Sequence, residues 1–191
     1  MRYGTLIIAS TAALALAGCG KKTETTSIDN TTIVSSDPAN VGVPAALPAA
    51  SAGQTFANTA ASSDAFEIAT SQLAQATSTS AAVKAVAAKM IEAHTGSTAK
   101  LKTAAATATP ALTPDPTLTA EQQATLDALK TKTGADFDQA YKMAQVNGHQ
   151  ATLDALRAYS ASGDVPQLKA FATEMVPTVT AHLNMAKGLK A

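Results

Sequence analysis

Only three histidines occur in this 191-residue chain, and each of them, His94, His149 and His182, falls on a different long segment of helical pattern. Imidazole is the commonest metal ligand among side chains and the one whose charge changes near neutral pH. Three imidazoles joined by the carboxylate of Glu67 would make a mononuclear site suited to zinc, copper or iron. Met90 lies one turn before His94, and Met185 lies three residues after His182. A thioether from either would suit copper or haem, although methionine at helical spacing ordinarily fills a core. The same residues have a structural use: a partly buried polar layer in which the histidines bond to Glu67, Tyr141 and nearby threonines.

Helices must position these groups, and they can be placed by period and caps. A first segment over 54–77 carries Phe66, Ala69, Leu73 and Ala76 at spacings of three and four. Asp64 followed by Glu67 reads as a capping box, which predicts a break near Ser62. A second helix over 80–106 sets Val83, Val86, Met90, His94 and Leu101 on one stripe. The proline-containing run TATPALTPDPTLT must interrupt it, after which Thr119 caps a short helix holding Leu126 and Leu129. A third long helix starts at Thr133-Gly134 and ends at Ser162-Gly163. Its inner stripe is Phe137, Tyr141, Ala144, Gly148, Thr152 and Ala155, with His149, Leu153 and Leu156 beside it. Asp136 and Asp138 read as first-turn carboxylates favoured by the helix dipole. Asp164 is the expected cap of the last helix, Pro166 sits in its first turn and Pro177 should kink it. Its stripe is Leu168, Phe171, Met175, Val179, His182, Ala186 and Leu189. No segment alternates with period two, so the fold class is all-α.

An ungapped internal match supports a bundle of two helical hairpins. VKAVAAKMI at 83–91 aligns with LKAFATEMV at 168–176. Two hairpins joined by the proline run and short helix give an antiparallel four-helix bundle with a crossover. An up-down-up-down arrangement puts the turns near Thr79 and Gly163 at the same end. At about 1.5 Å per residue, Glu67 then lies roughly 18 Å from that end, His94 about 22 Å, His149 about 21 Å and His182 about 28 Å. One potential ligand per helix therefore falls within about two turns of one level, with His94 and His149 agreeing best. A di-iron centre of the kind built in such bundles needs glutamate three residues before two of its histidines. Ile91, Val146 and Val179 hold those positions, so that motif is absent.

The N-terminus predicts export. Residues 1–18 pair a basic start at Arg2 with an apolar run from Leu6 to Leu16, the plan of a signal peptide. Leu16-Ala17-Gly18-Cys19 resembles the bacterial lipobox, which implies lipidation at Cys19, with palmitate among the acyl chains. Two or more chains hold a protein firmly to a membrane. Gly20 rather than aspartate follows, which favours an outer membrane, with the domain facing the periplasm. Cys19 is the only cysteine, so the mature domain has no disulfide and no thiolate site. Residues 19–53 are rich in Ser, Thr, Ala and Pro and read as a disordered tether, leaving 54–191 as the domain. Charge is balanced, with 14 basic and 14 acidic side chains, and no basic patch suggests nucleic acid. No phosphate loop, GxSxG or HExxH is present, so an enzyme is not the expectation.

Four segments carry a family resemblance: F-E-I-A around Glu67, M-I-E-A-H-T at 90–95, FDQAY at 137–141 followed by His149, and VPTVTAHLNMAKGL at 176–189. They resemble an uncharacterised bacterial family of predicted outer-membrane lipoproteins with a ferritin-like helical-bundle domain, a domain of unknown function. Members often carry aspartate just before the first two histidines, where this chain has Ala93 and Gly148. The resemblance implies fold and location and brings no activity. Two functions fit the residues. One is a non-catalytic, lipid-anchored envelope protein that binds an envelope partner or acts under envelope stress. The other is a metal- or haem-binding bundle for storage, sensing or redox protection.

Overall fold

A computed structural model describes residues 50–191, which fall within one compact unit, 46–191. The expected signal peptide, Cys19 and nearly all of the expected tether lie outside the described residues. Five helices and no strand occur among the described residues: α1 (Ala52–Thr77), α2 (Ala81–Ala106), α3 (Ala120–Lys130), α4 (Gly134–Ser162) and α5 (Pro166–Gly188). Ser51 and Ser80 cap α1 and α2 by accepting from Gln54 N–H and Val83 N–H, which satisfies donors that a helix start leaves free. Thr119 and Gln122 form a reciprocal capping box on α3.

Two sequence expectations about caps fail. The helix α1 runs unbroken through Ser62, and Asp64 is 5% exposed in mid-helix instead of capping a second start. Its neighbours on the inward face, Ser63, Glu67, Thr70 and Ser71, are buried too. Of the apolar stripe read through Phe66, Ala69, Leu73 and Ala76, Phe66 is buried, Ala69 and Leu73 pack partly buried against the core and Ala76 is exposed, and beside it α1 turns a polar face inward. At the start of α5 the N-cap is Val165, and Asp164 accepts from Tyr159 O–H at 2.8 Å instead. Asp136 does lie in the first turn of α4, whereas Asp138 is buried with Oδ1 unpaired.

The α1–α2 and α4–α5 hairpins are the closest pairs, and they join through α1 on α4 and α2 on α5. Between α1 and α4, Phe56 stacks on Tyr159, Ser63 bonds Thr152, Gln145 bonds Glu67, and Ser71 bonds Tyr141. Rising numbers on one helix meet falling numbers on the other, so these two are antiparallel. The pairs Lys100–Glu174 and Gln167–Thr107 show the same for α2 and α5. All four neighbouring pairs are antiparallel, which puts the turns at 78–80 and 163–165 at opposite ends. The up-down-up-down order expected from sequence is replaced by up-down-down-up. The crossover 107–133 consequently travels the length of the bundle. It is held to α1 where Gln54 bonds the backbone of Thr113 and Asn58 accepts from Asp115 N–H.

Two apolar clusters fill the bundle. One gathers Phe56, Leu101, Leu156, Leu168 and Phe171 toward the 163–165 turn. The other gathers Phe66, Val83, Leu129, Phe137 and Leu189 toward the opposite end. The internal repeat is echoed in burial: Val83 and Leu168, Ala87 and Ala172, and Met90 and Met175 are all core residues. Between the two clusters lies a buried polar belt of Asp64, Glu67, His94, Gln145 and His149.

Candidate metal centre

All three histidines meet in this belt. One ring nitrogen of each lies within 4.8 Å of the other two. Ring centroids form a near-equilateral triangle of 5.3, 5.6 and 5.5 Å. His94 Nε2 and His149 Nε2 are 3.3 Å apart. Tetrahedral ligands at metal–nitrogen bonds of about 2.0–2.1 Å stand about 3.3 Å from each other. That edge, which in the metal-free protein is a His94–His149 hydrogen bond, already has the spacing of two ligands, and His182 must close by no more than about 1.5 Å.

Two imidazoles are aimed from behind. His94 Nδ1 is 2.8 Å from Asp64 Oδ1, whose other oxygen accepts from Thr98 O–H. His149 Nδ1 donates to the Gln145 carbonyl one turn earlier, at 2.8 Å. A bond on Nδ1 leaves Nε2 as the ligand nitrogen and makes it more basic, the usual support behind a metal-bound histidine. The sequence pattern alone assigns Asp64 to a cap. Its role here is visible only once α1 and α2 are packed, although a carboxylate one turn from Glu67 on the inward face was the available signal.

Glu67, expected as a fourth ligand, is 1% exposed but stands behind His149. Its Oε1 lies 3.4 Å from His149 Nδ1, the nitrogen turned away from the cluster. Its Oε2 accepts from Gln145, and Oε1 has no hydrogen-bond partner. The structure thus brings Glu67 to the site as a neighbouring charge, outside the converging donors. Gly148 makes room for it, since a Cβ there would lie 2.6 Å from Glu67 Oε1. Tyr141 O–H is engaged with Ser71 at 2.9 Å, Met90 is fully buried, and Met185 is half-buried on α5.

Electrostatics favours neutral donors at two of the three histidines. Burial pushes His149 down to about 3 and His182 down to about 4, each helped by His94. Burial also lowers His94, but Asp64 and Glu67 outweigh it and leave that group raised. Burial lifts Glu67 to about 7, against the pull of His94. Two imidazoles are therefore unprotonated at neutral pH, as a metal requires. Buried polar atoms in a structural network ordinarily find partners. Here His182 Nδ1, Glu67 Oε1 and Gln145 Oε1 are sealed from solvent without partners.

Residues 39–189 match a family described as Domain of unknown function (DUF4142), and this chain belongs to that family. No curated protein and no solved structure matches it.

Proposed function

We propose that this protein holds a transition-metal ion, of the zinc or copper class, in the cell envelope, bound by His94, His149 and His182. The observation that carries the reading is the convergence of three imidazole nitrogens to within 4.8 Å, one from each of three helices. Neutral nitrogen donors select zinc, copper, nickel or iron over calcium and magnesium, which take oxygen ligands. With three ligands on three helices, binding would also fasten α2, α4 and α5 together, so the ion would stabilise the fold by mass action. The lipobox at Leu16-Ala17-Gly18-Cys19 supports a lipid anchor, and Gly20 supports the outer membrane. The long crossover is consistent with the ferritin-like grouping. Holding an ion suits storage or sensing better than catalysis.

Elemental analysis of the full-length protein, purified in detergent without a histidine tag, tests this. About one equivalent of zinc or copper is expected, and the triple His94, His149, His182→Ala variant should retain none. A wild-type protein that carries no metal and takes up neither Zn2+, Cu2+ nor Co2+ would overturn it.

A further inference from the structure

The three histidines are not held alike. His94 and His149 are 3% and 1% exposed, and each has Nδ1 fixed by a hydrogen bond at 2.8 Å. His182 is only partly buried, and no hydrogen bond holds its Nδ1. It lines a groove of roughly 430 Å³ between α2 and α5, walled by Ala93, Gly96, Ser97 and Thr178. The groove exists because α2 presents small side chains there. A Cβ added at Gly96 would meet nothing within 4 Å. On the other side of the bundle, a cavity of roughly 290 Å³ beneath α3 is lined by none of the three histidines. The rim does not repel a cation: Lys100 is paired with Glu174 at 2.6 Å, and Glu92 stands with Lys89 on the groove.

We propose that the α2–α5 groove is the port through which the metal ion reaches and leaves the centre, with His182 as the exchanging ligand. This rests on the metal-binding reading above. A hydrated ion sheds its waters one at a time and needs a first protein ligand it can meet from solvent. His182 alone meets that condition, because its ring borders the groove and can turn without breaking a hydrogen bond at Nδ1. His94 and His149 would have to break theirs, so they wait as a preset pair onto which His182 delivers the ion. Because Ala93 and Gly96 on the groove wall are not among the converging ligands, narrowing the groove there should change rates and leave affinity alone.

The test is stopped-flow absorbance of Co2+ uptake, and of its removal by EDTA, using full-length protein in detergent. Gly96→Leu, whose side chain extends into open space, should slow both uptake and removal at least tenfold with Kd within about threefold of wild type. Ala93→Leu, from the same wall, should act alike and serves if the first variant folds poorly by circular dichroism. His182→Ala should bind Co2+ more weakly, take it up more slowly and lose it faster to EDTA. Wild-type exchange rates in both folded groove variants would refute the port while leaving the metal site intact. Failure of the wild-type protein to bind Co2+ at all would instead strike the underlying reading.

Discussion

Gly96 and Gly148 are both interior helical glycines, on α2 and α4, yet replacing each by alanine should move stability in opposite directions. Alanine is better than glycine in a helix interior by about 1 kcal/mol. At Gly96 the new methyl meets nothing within 4 Å, so the full gain of about 1 kcal/mol should appear. At Gly148 the methyl lies 2.6 Å from Glu67 Oε1 and 3.6 Å from the Phe66 ring. Glu67 cannot swing aside freely, since Gln145 holds its other oxygen and the side chain is 1% exposed. Overpacking of this kind costs about 1–3 kcal/mol, which cancels or reverses the helix gain. The two variants should therefore differ by about 1–3 kcal/mol, read from urea midpoints at constant slope. Adding Glu67→Ala to Gly148→Ala should remove the clash and reveal a coupling of about 0.5–3 kcal/mol in a double-mutant cycle. If Gly148→Ala stabilises as much as Gly96→Ala, then Glu67 is not packed against α4 as described.

Asp64→Asn should keep the fold but weaken Zn2+ binding about 10–100-fold in chelator competition, because the carboxylate behind His94 is lost. Undiminished affinity would rule out that support. Acidification should destabilise the metal-free domain. His149 and His182, held down to about 3 and about 4, bind protons more readily unfolded, so their contribution is lost as pH falls below 6.5. Glu67, raised to about 7 from 4.5, works the other way and loses stability as pH rises from 4.5 to 7. His94, raised from 6.5, keeps its full contribution throughout the window below 6.5. Two imidazoles against one carboxyl leave a net loss between pH 6.5 and 4.5, and a urea midpoint that rises at pH 4.5 would contradict it. Finally, Cys19→Ser should abolish palmitate labelling and leave unprocessed precursor, whereas continued labelling would remove the anchor from Cys19.

Helix positions were legible because three-and-four spacing and cap chemistry are local: Ser80, Thr119 and Ser162-Gly163 mark boundaries where the structure has them. The meeting of the histidines was also legible from their heights along the helices, although the hairpin turns lie at opposite ends and not at one. His94 and His149 lie near the middle of their helices, and inverting a helix leaves its midpoint at the same level. What α1 does was legible only in part, through Phe66 on its apolar stripe and Glu67 beside the histidines. The rest of its buried polar face, Ser63, Asp64, Thr70 and Ser71, is what hydrophobic periodicity assigns to solvent. Only packing against α2 and α4 supplies the partners that make such a face buriable, turning Asp64 from an apparent cap into the support of His94. Helix direction, the second role of Glu67 and the open side of His182 likewise depend on which helices become neighbours. That choice is made by contacts far apart in sequence, which no local pattern records.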